Sequence, residues 1–264
     1  MGYEEISYEY IAELLDSGQM ARARDLFVRM YPAYAADLLE ALDPDKRDAL
    51  FELLDDETAS DVLVELETLF IDDVVEDIPS GKLADLADHM APDDAVRFLG
   101  ELDADQSAEI LAEMEDGSQV SELLRYPEDS AGSIMTTEFC ALPANATVHD
   151  AREALVPIEL TDPVLNVYVV EPRTTKLLGV VTLRQLFTTH LDAILGDIAT
   201  HDYVWADSLD DQEDVARKFR KYDCWVIPVV NAKHHLVGRI TVDDIMDVLH
   251  EEADEDLAHM VGAP

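Results

Sequence analysis

The sequence predicts an α+β multi-domain chain: an all-α superhelical N-terminal domain followed by an α/β portion built from a duplicated module. Three observations carry this. An apolar residue recurs every twelve positions through the first half. Past residue 133 the pattern changes to β-branched runs alternating with helical stretches, in two matching copies. Of the 264 residues, 48% are hydrophobic, enough to bury a core, although Asp and Glu number 59 against 18 Lys and Arg.

In the first half, positions 42, 54, 66, 78, 90, 102 and 114 hold Leu42, Leu54, Leu66, Ile78, Met90, Leu102 and Met114. Turn chemistry usually comes next, as in Leu42-Asp43-Pro44, Leu54-Asp55-Asp56, Ile78-Pro79-Ser80, Met90-Ala91-Pro92 and Leu102-Asp103-Ala104. Each unit reads as two turns of amphipathic helix, then a capping residue, often with Pro near the next helix start. Helices this short do not persist alone, so they need stacked neighbours, the logic of a superhelix. Most of the acids fall on outward faces or in first turns, where the helix dipole favours them. Asp93-Asp94, behind Pro92 in a first turn, is a candidate ligand pair; Asp55-Asp56 and Asp72-Asp73 look similar locally.

The net charge of −41 has to be offset. Residues 1–126 carry −26 and residues 127–264 carry −15. Two like charges 4 Å apart repel by roughly 1 kcal/mol in bulk water and several times that near a low-dielectric surface. Bulk salt, a basic partner or bound cations can relieve this. Nucleic acid is a poor partner, because phosphates need clustered Lys and Arg. No apolar run approaches the ~18–20 residues that span a bilayer, and the N-terminus has neither the basic nor the apolar segment of a signal peptide. Two cysteines, Cys140 and Cys224, without metal-like spacing, suggest reduced thiols in a cytosolic setting. No phosphate loop, nucleophile elbow or His-based constellation points to an enzyme.

The segment 127–133 reads as a linker, dividing residues 1–126 from the duplicated module. Beyond it, Ile134-Met135-Thr136 and Ile198-Ala199-Thr200 each lead into a strand and a helix, the helices beginning near Val148 and Gln212. Asn166–Val170 precedes a turn and then Gly179-Val180-Val181-Thr182-Leu183-Arg184-Gln185. Trp225–Val230 precedes a turn and then Gly238-Arg239-Ile240-Thr241-Val242-Asp243-Asp244. Cys224 and Trp225 are expected to open a core strand, and His234-His235 to sit solvated in a turn.

The pattern of strand, turn, strand ending Gly-x-x-Thr-x-x-Asp, then helix resembles a CBS (cystathionine-β-synthase-type) domain, here as a tandem pair over 134–197 and 198–250. The resemblance implies that Thr241 and Asp244 hold the ribose of ATP or another adenosine nucleotide, with Tyr222 lining the cleft. The first copy has Thr182, but Gln185 replaces the acid. From the residues alone, Thr241 and Asp244 also read as a helix cap worth ~1 kcal/mol.

An acidic stacked-helix domain, then Arg125-Tyr126-Pro127-Glu128-Asp129-Ser130-Ala131-Gly132 and a CBS pair, resembles the cytosolic region of the MgtE family of magnesium transporters and channels. Asp211-Gln212-Glu213-Asp214, Tyr222-Asp223, Pro228-Val229-Val230, Thr241–Leu249 and the tail Glu251–Asp256 strengthen the likeness. The family's membrane domain would come after residues 251–264, which begin its acidic connecting (plug) helix. The chain is then a piece of such a protein or a soluble relative. As such a piece it belongs at the cytoplasmic face of the cell membrane and is soluble on its own.

Hard oxygen ligands without interleaved Cys or His suit Mg²⁺ or Ca²⁺. Residues 243–256 hold eight acids and no Lys or Arg. If helical, their like-charge i,i+4 pairs cost ~0.2–0.5 kcal/mol each, which a cation relieves. The resemblance implies Mg²⁺ ligands at Asp93 and Asp244, at Asp211, Glu213 and Asp223, and at Asp247, Glu252, Glu255 and Asp256, with Arg97 in place of a further acid. Asp94 stands beside this set as a candidate from its own sequence. The expected function is intracellular Mg²⁺ sensing, with the ion bridging acidic clusters to favour a compact closed state. The expected partners are a second copy through the CBS domains and a transmembrane domain. The rivals are an adenosine-nucleotide sensor and an acidic interaction scaffold adapted to high salt.

Overall fold

The structure, a computed structural model, describes residues 8–76, 78–115, 117–156 and 166–250. The chain divides into two compact units, Met1–Met90 with Asp94–Val120, and Ala91–Asp93 with Ser121–Pro264.

The helices of the first half are α1 (Tyr8–Asp16), α2 (Met20–Phe27), α3 (Pro32–Ala41), α4 (Pro44–Phe51), α5 (Asp56–Val64), α6 (Thr68–Val75), α7 (Ser80–Ala87), α8 (Pro92–Glu101), α9 (Ala104–Glu113) and α10 (Gly117–Leu123). From α3 to α9 each begins twelve residues after the one before. The starts are set by local chemistry. Pro opens α3, α4 and α8, where a missing N–H costs nothing. The Asp55 carboxylate caps α5 through the Thr58 N–H at 3.0 Å, and Asp103 caps α9 through the N–H groups of Asp105 and Gln106, both at 3.0 Å. Leu42, Leu66, Met90 and Leu102 are buried, and Leu54, Ile78 and Met114 pack against the same core. Alternate helices stack, α3 on α5, α5 on α7 and α7 on α9, which gives a helix of two turns the neighbours it needs.

Part of the acid excess is structural. The Glu40 carboxylate accepts from the Glu67 N–H at the start of α6, and Asp88 accepts from the Glu115 N–H, both at 2.8 Å. Each tie reaches across 27 residues to an otherwise orphaned donor. Desolvation pushes the Glu40 carboxyl above its ordinary value, while the Glu67 N–H pulls the other way. Buried Arg47 donates to the Asp73 carbonyl at 3.3 Å, and Lys82 pairs with Asp56.

The second unit holds two copies of one module. The first comprises β1 (Cys140–Pro143), α11 (Val148–Leu155), β2 (Asn166–Val170), β3 (Leu177–Thr182) and α12 (Leu183–Thr188). The short α13 (Leu195–Ile198) leads to β4 (Ala206–Asp207), α14 (Gln212–Tyr222), β5 (Val226–Val230) and β6 (Leu236–Thr241). A last helix, α15, runs over 242–250 to the edge of the described residues. Each sheet has three strands, β1-β2-β3 and β4-β5-β6, the first pair parallel and the second antiparallel. The strand period of two shows in β2. Val167 and Val169 face a core with Val148, Ala151 and Leu186. Tyr168 and Val170 face Val230 and Leu236 of the other copy. With both faces covered, the strands read as continuous apolar runs.

The two copies exchange their leading segments. Thr136 pairs with Arg239 of β6 through two backbone hydrogen bonds of 2.9 Å. Thr200 pairs with Val180 of β3 through bonds of 2.9 and 3.0 Å. The glycine of each Gly-x-x-Thr motif makes room for this. A Cβ on Gly238 would lie 2.6 Å from Met135 Sδ and 2.8 Å from the Thr136 carbonyl oxygen, and one on Gly179 would lie 2.9 Å from Ala199 Cβ. Arg239, buried, adds a side-chain bond of 2.6 Å to the Glu138 carbonyl.

Three local expectations change. The segment 127–133 does not hang free, because the Ala131 N–H donates to Asp210 O at 2.7 Å, the Gly132 N–H to Ser208 O at 2.9 Å, and the Gln212 N–H to Asp129 O at 2.8 Å. It is pinned to the loop that opens α14, and Ala131 is fully buried. Trp225 is 71% exposed rather than core. Left-handed Asp223 ends α14, and the strand starts only at Val226, so Trp225 precedes the alternation that buries Ile227 and Val229. His234 is half-buried rather than solvated. Its Nε2 lies 3.2 Å from Tyr203 Oη and its ring meets Trp205 edge-on at 5.0 Å. No described helix is long and apolar enough to cross a membrane.

Candidate functional site

The Thr-x-x-Asp motif closes β6 and opens α15. Thr241 is 6% exposed, and the Asp244 carboxylate accepts from its N–H at 2.8 Å and from its hydroxyl at 2.6 Å. Gln185 performs the same task in the first copy, its Oε1 accepting from the Thr182 N–H at 2.9 Å and hydroxyl at 2.8 Å. It does one thing more: its Nε2 donates to Ile198 O at 2.9 Å, a bond no carboxylate could make. Losing the acid therefore leaves the cap intact and adds a tie. Thr147 and Asp150 repeat the cap at α11. The motif is first of all a helix start.

The other acids fall in distinct places. Asp93 lies in the first turn of α8 and is 7% exposed. Asp94, beside it, pairs with Arg97 at 3.3 Å, and Arg97 also donates to Val64 O at 2.8 Å. Asp211 caps α14 through the Glu213 N–H at 3.0 Å, and the Glu213 carboxylate sits 3.7 Å from Arg217. Asp223 holds the far end of α14 in a left-handed conformation, φ 51°. Twelve residues separate Asp211 from Asp223, about 18 Å along the helix. The structure therefore does not bring Asp211, Glu213 and Asp223 together around one ion. Asp247 is exposed on α15. Glu252, Glu255 and Asp256 lie outside the described residues. Among the described residues no three acidic, His or Cys side chains converge on a point.

Tyr222 lines an open cleft of about 810 Å³ in which Arg217, Lys218 and Lys221 stand among Asp202, Asp210 and Asp214, and neither Thr241 nor Asp244 is among its walls. Sequence reasoning missed this cleft. The available signal was that residues 217–221 hold four of the chain's 18 Lys and Arg.

Residues 30–129 match the MgtE intracellular N domain, and residues 131–191 and 195–251 each match a CBS domain. The fold superposes on the crystal structure of the soluble part of a magnesium transporter with a TM-score of 0.85 and 33% identity, over 96% of this chain and 100% of that one. This chain belongs to the MgtE family. A second MgtE structure, the cytosolic domain of the Mg²⁺ channel in complex with ATP, superposes at TM-score 0.82 and 28% identity, over 92% of this chain and all of that one. The magnesium transporter MgtE of Bacillus subtilis (strain 168) is 32% identical over 259 residues, which is 97% of this chain and 57% of that protein. The chain thus spans little more than half the length of this MgtE relative.

Proposed function

We propose that this chain is the Mg²⁺-sensing regulatory region of a magnesium transporter or channel, in which Mg²⁺ bridges acidic clusters and favours a compact closed state. The observation that carries the reading is the match, end to end, to the soluble part of a magnesium transporter, made by a chain with net charge −41. Carboxylates in such excess repel one another, and Mg²⁺ suits their relief because it needs only one or two per site and keeps its remaining waters. The candidate ligands are Asp93, Asp94, Asp211, Glu213, Asp223, Asp244, Asp247, Glu252, Glu255 and Asp256. In a longer protein the region would act at the cytoplasmic face on a transmembrane domain, and pair with a second copy through its CBS domains.

Small-angle scattering tests this. Millimolar MgCl₂ is expected to shrink the radius of gyration relative to KCl of equal ionic strength. Equal effects of the two salts would remove the Mg²⁺ reading and favour that of an acidic scaffold adapted to salt.

A second reading concerns a nucleotide. The ATP complex of a relative and the Thr241–Asp244 pair support an adenosine nucleotide at the second CBS copy. ATP is then expected to raise the melting temperature of the parent chain but not of Thr241→Ala. Equal rises in both would remove Thr241 from the site.

A further inference from the structure

We propose that residues 126–133 form a charge-tensioned latch: a strap closed by hydrogen bonds onto the start of α14 and opposed by like charges on its two sides, so that ionic conditions set how firmly it closes. The inference stands apart from the magnesium reading. Hydrogen bonds run both ways across the strap. The Ala131 and Gly132 N–H groups donate to Asp210 O and Ser208 O, and the Gln212 N–H donates back to Asp129 O. The Gln212 side-chain amide adds a bond to Asp129 Oδ1 at 3.3 Å. Within the strap, the Ser130 hydroxyl donates to Pro127 O at 2.6 Å. The Tyr126 ring lies against Gly132, where an added Cβ would run into it, and the Tyr126 hydroxyl is bonded to the Ser208 side chain. Ser130, Ala131, Ser208 and Gln212 are all buried in this closed arrangement.

Charge works the other way. Ser130 pairs with Asp211 in an antiparallel bridge, so Asp129 and Asp211 stand on adjoining residues of the pairing. The strap also carries Glu128, and the loop carries Asp207 and Asp210, followed on α14 by Glu213 and Asp214. Lys218 neutralises Asp210, and Arg217 pairs with Glu213 and Asp214. Asp129 and Asp211 are held through amides instead, Asp129 by the Gln212 side chain and Asp211 by the Glu213 N–H at 3.0 Å. Such bonds satisfy a carboxylate without cancelling its charge. Asp129 and Asp211 are both exposed, where added salt screens their repulsion. The backbone bonds beneath them are buried and feel salt far less. Asp129 is also left-handed, φ 58°, a conformation that Asn and Asp tolerate best among residues with a side chain. Opening the strap would free the start of α14 and the chain around Tyr126 together, since each is tied to the other.

Amide hydrogen exchange, followed residue by residue on the whole chain, tests this. The Ala131, Gly132 and Gln212 amides are expected to exchange more slowly in about 1 M KCl than in about 0.01 M, as the Debye length falls from about 30 Å to about 3 Å. Their change is expected to exceed that of the Val167 and Val169 amides in β2. Asp129→Asn removes one charge, while its amide oxygen can still accept from Gln212 and its backbone still suits the left-handed turn. This variant is expected to slow exchange of the three amides about fivefold at low salt and to flatten their salt response. Tyr126→Ala, which removes the ring over Gly132, is expected to speed exchange at Gln212 on the far side of the pairing, because coupling is reciprocal. The proposal fails if the three amides merely follow β2 at both salt concentrations. It fails equally if Asp129→Asn leaves low-salt exchange unchanged, or if Gln212 in Tyr126→Ala stays as protected as in the parent.

Discussion

Adding Mg²⁺ to this protein is expected to raise its melting temperature by about 5–10 °C over KCl of matched ionic strength. One site filled at a hundred times its dissociation constant adds ~2.7 kcal/mol, and a chain of this size gains roughly 2–4 °C per kcal/mol. Asp244→Asn is the variant to compare. An amide oxygen can accept both bonds from Thr241, as Gln185 does from Thr182 in the first copy. The substitution therefore removes charge and keeps the cap. If Asp244 binds the ion, the variant loses most of the Mg²⁺-dependent rise and keeps its stability in KCl. A full response in the variant would take Asp244 out of the ligand set, and no response in the parent would end the sensor reading. Calorimetry in the two salts with both proteins separates these cases.

Gly238→Ala is expected to destabilise the protein by about 3 kcal/mol. The added methyl group would meet Met135 Sδ at 2.6 Å and a backbone oxygen, that of Thr136, at 2.8 Å. The sulfur can swing away but the carbonyl cannot without loosening the Thr136–Arg239 bonds. Overpacking of this kind costs ~1–3 kcal/mol, and each backbone bond lost adds ~1 kcal/mol. Urea unfolding of the two proteins measures the difference. An equal midpoint would mean that the leading segment is not held closely against β6.

Much of this fold was legible because its periods are strict. The twelve-residue recurrence from Leu42 to Met114 became helices that start twelve residues apart, since Pro or Asp recurs with the apolar positions at every start but that of α6. The module copies were legible from their β-branched runs, and α11 and α14 begin where the sequence placed them, at Val148 and Gln212. What was not legible depends on contacts between distant segments. Nothing near residue 131 announces that its N–H will meet Asp210 O, so the segment read as a linker. Trp225 read as core because an aromatic beside Val226 and Ile227 fits a strand, whereas left-handed Asp223 delays the strand. The candidate site divides in the same way. The sequence pointed to Thr241 and Asp244 as a unit, and they are one. The family resemblance also grouped Asp211 with Asp223, which α14 holds a helix length apart.

Because Thr136 completes the sheet of the later copy and Thr200 that of the earlier one, cutting the chain between them would bare a raw strand border on both pieces, the kind of surface that recruits other chains into aggregates. The doublet is therefore the smallest part of this unit expected to keep its fold when transplanted into another protein.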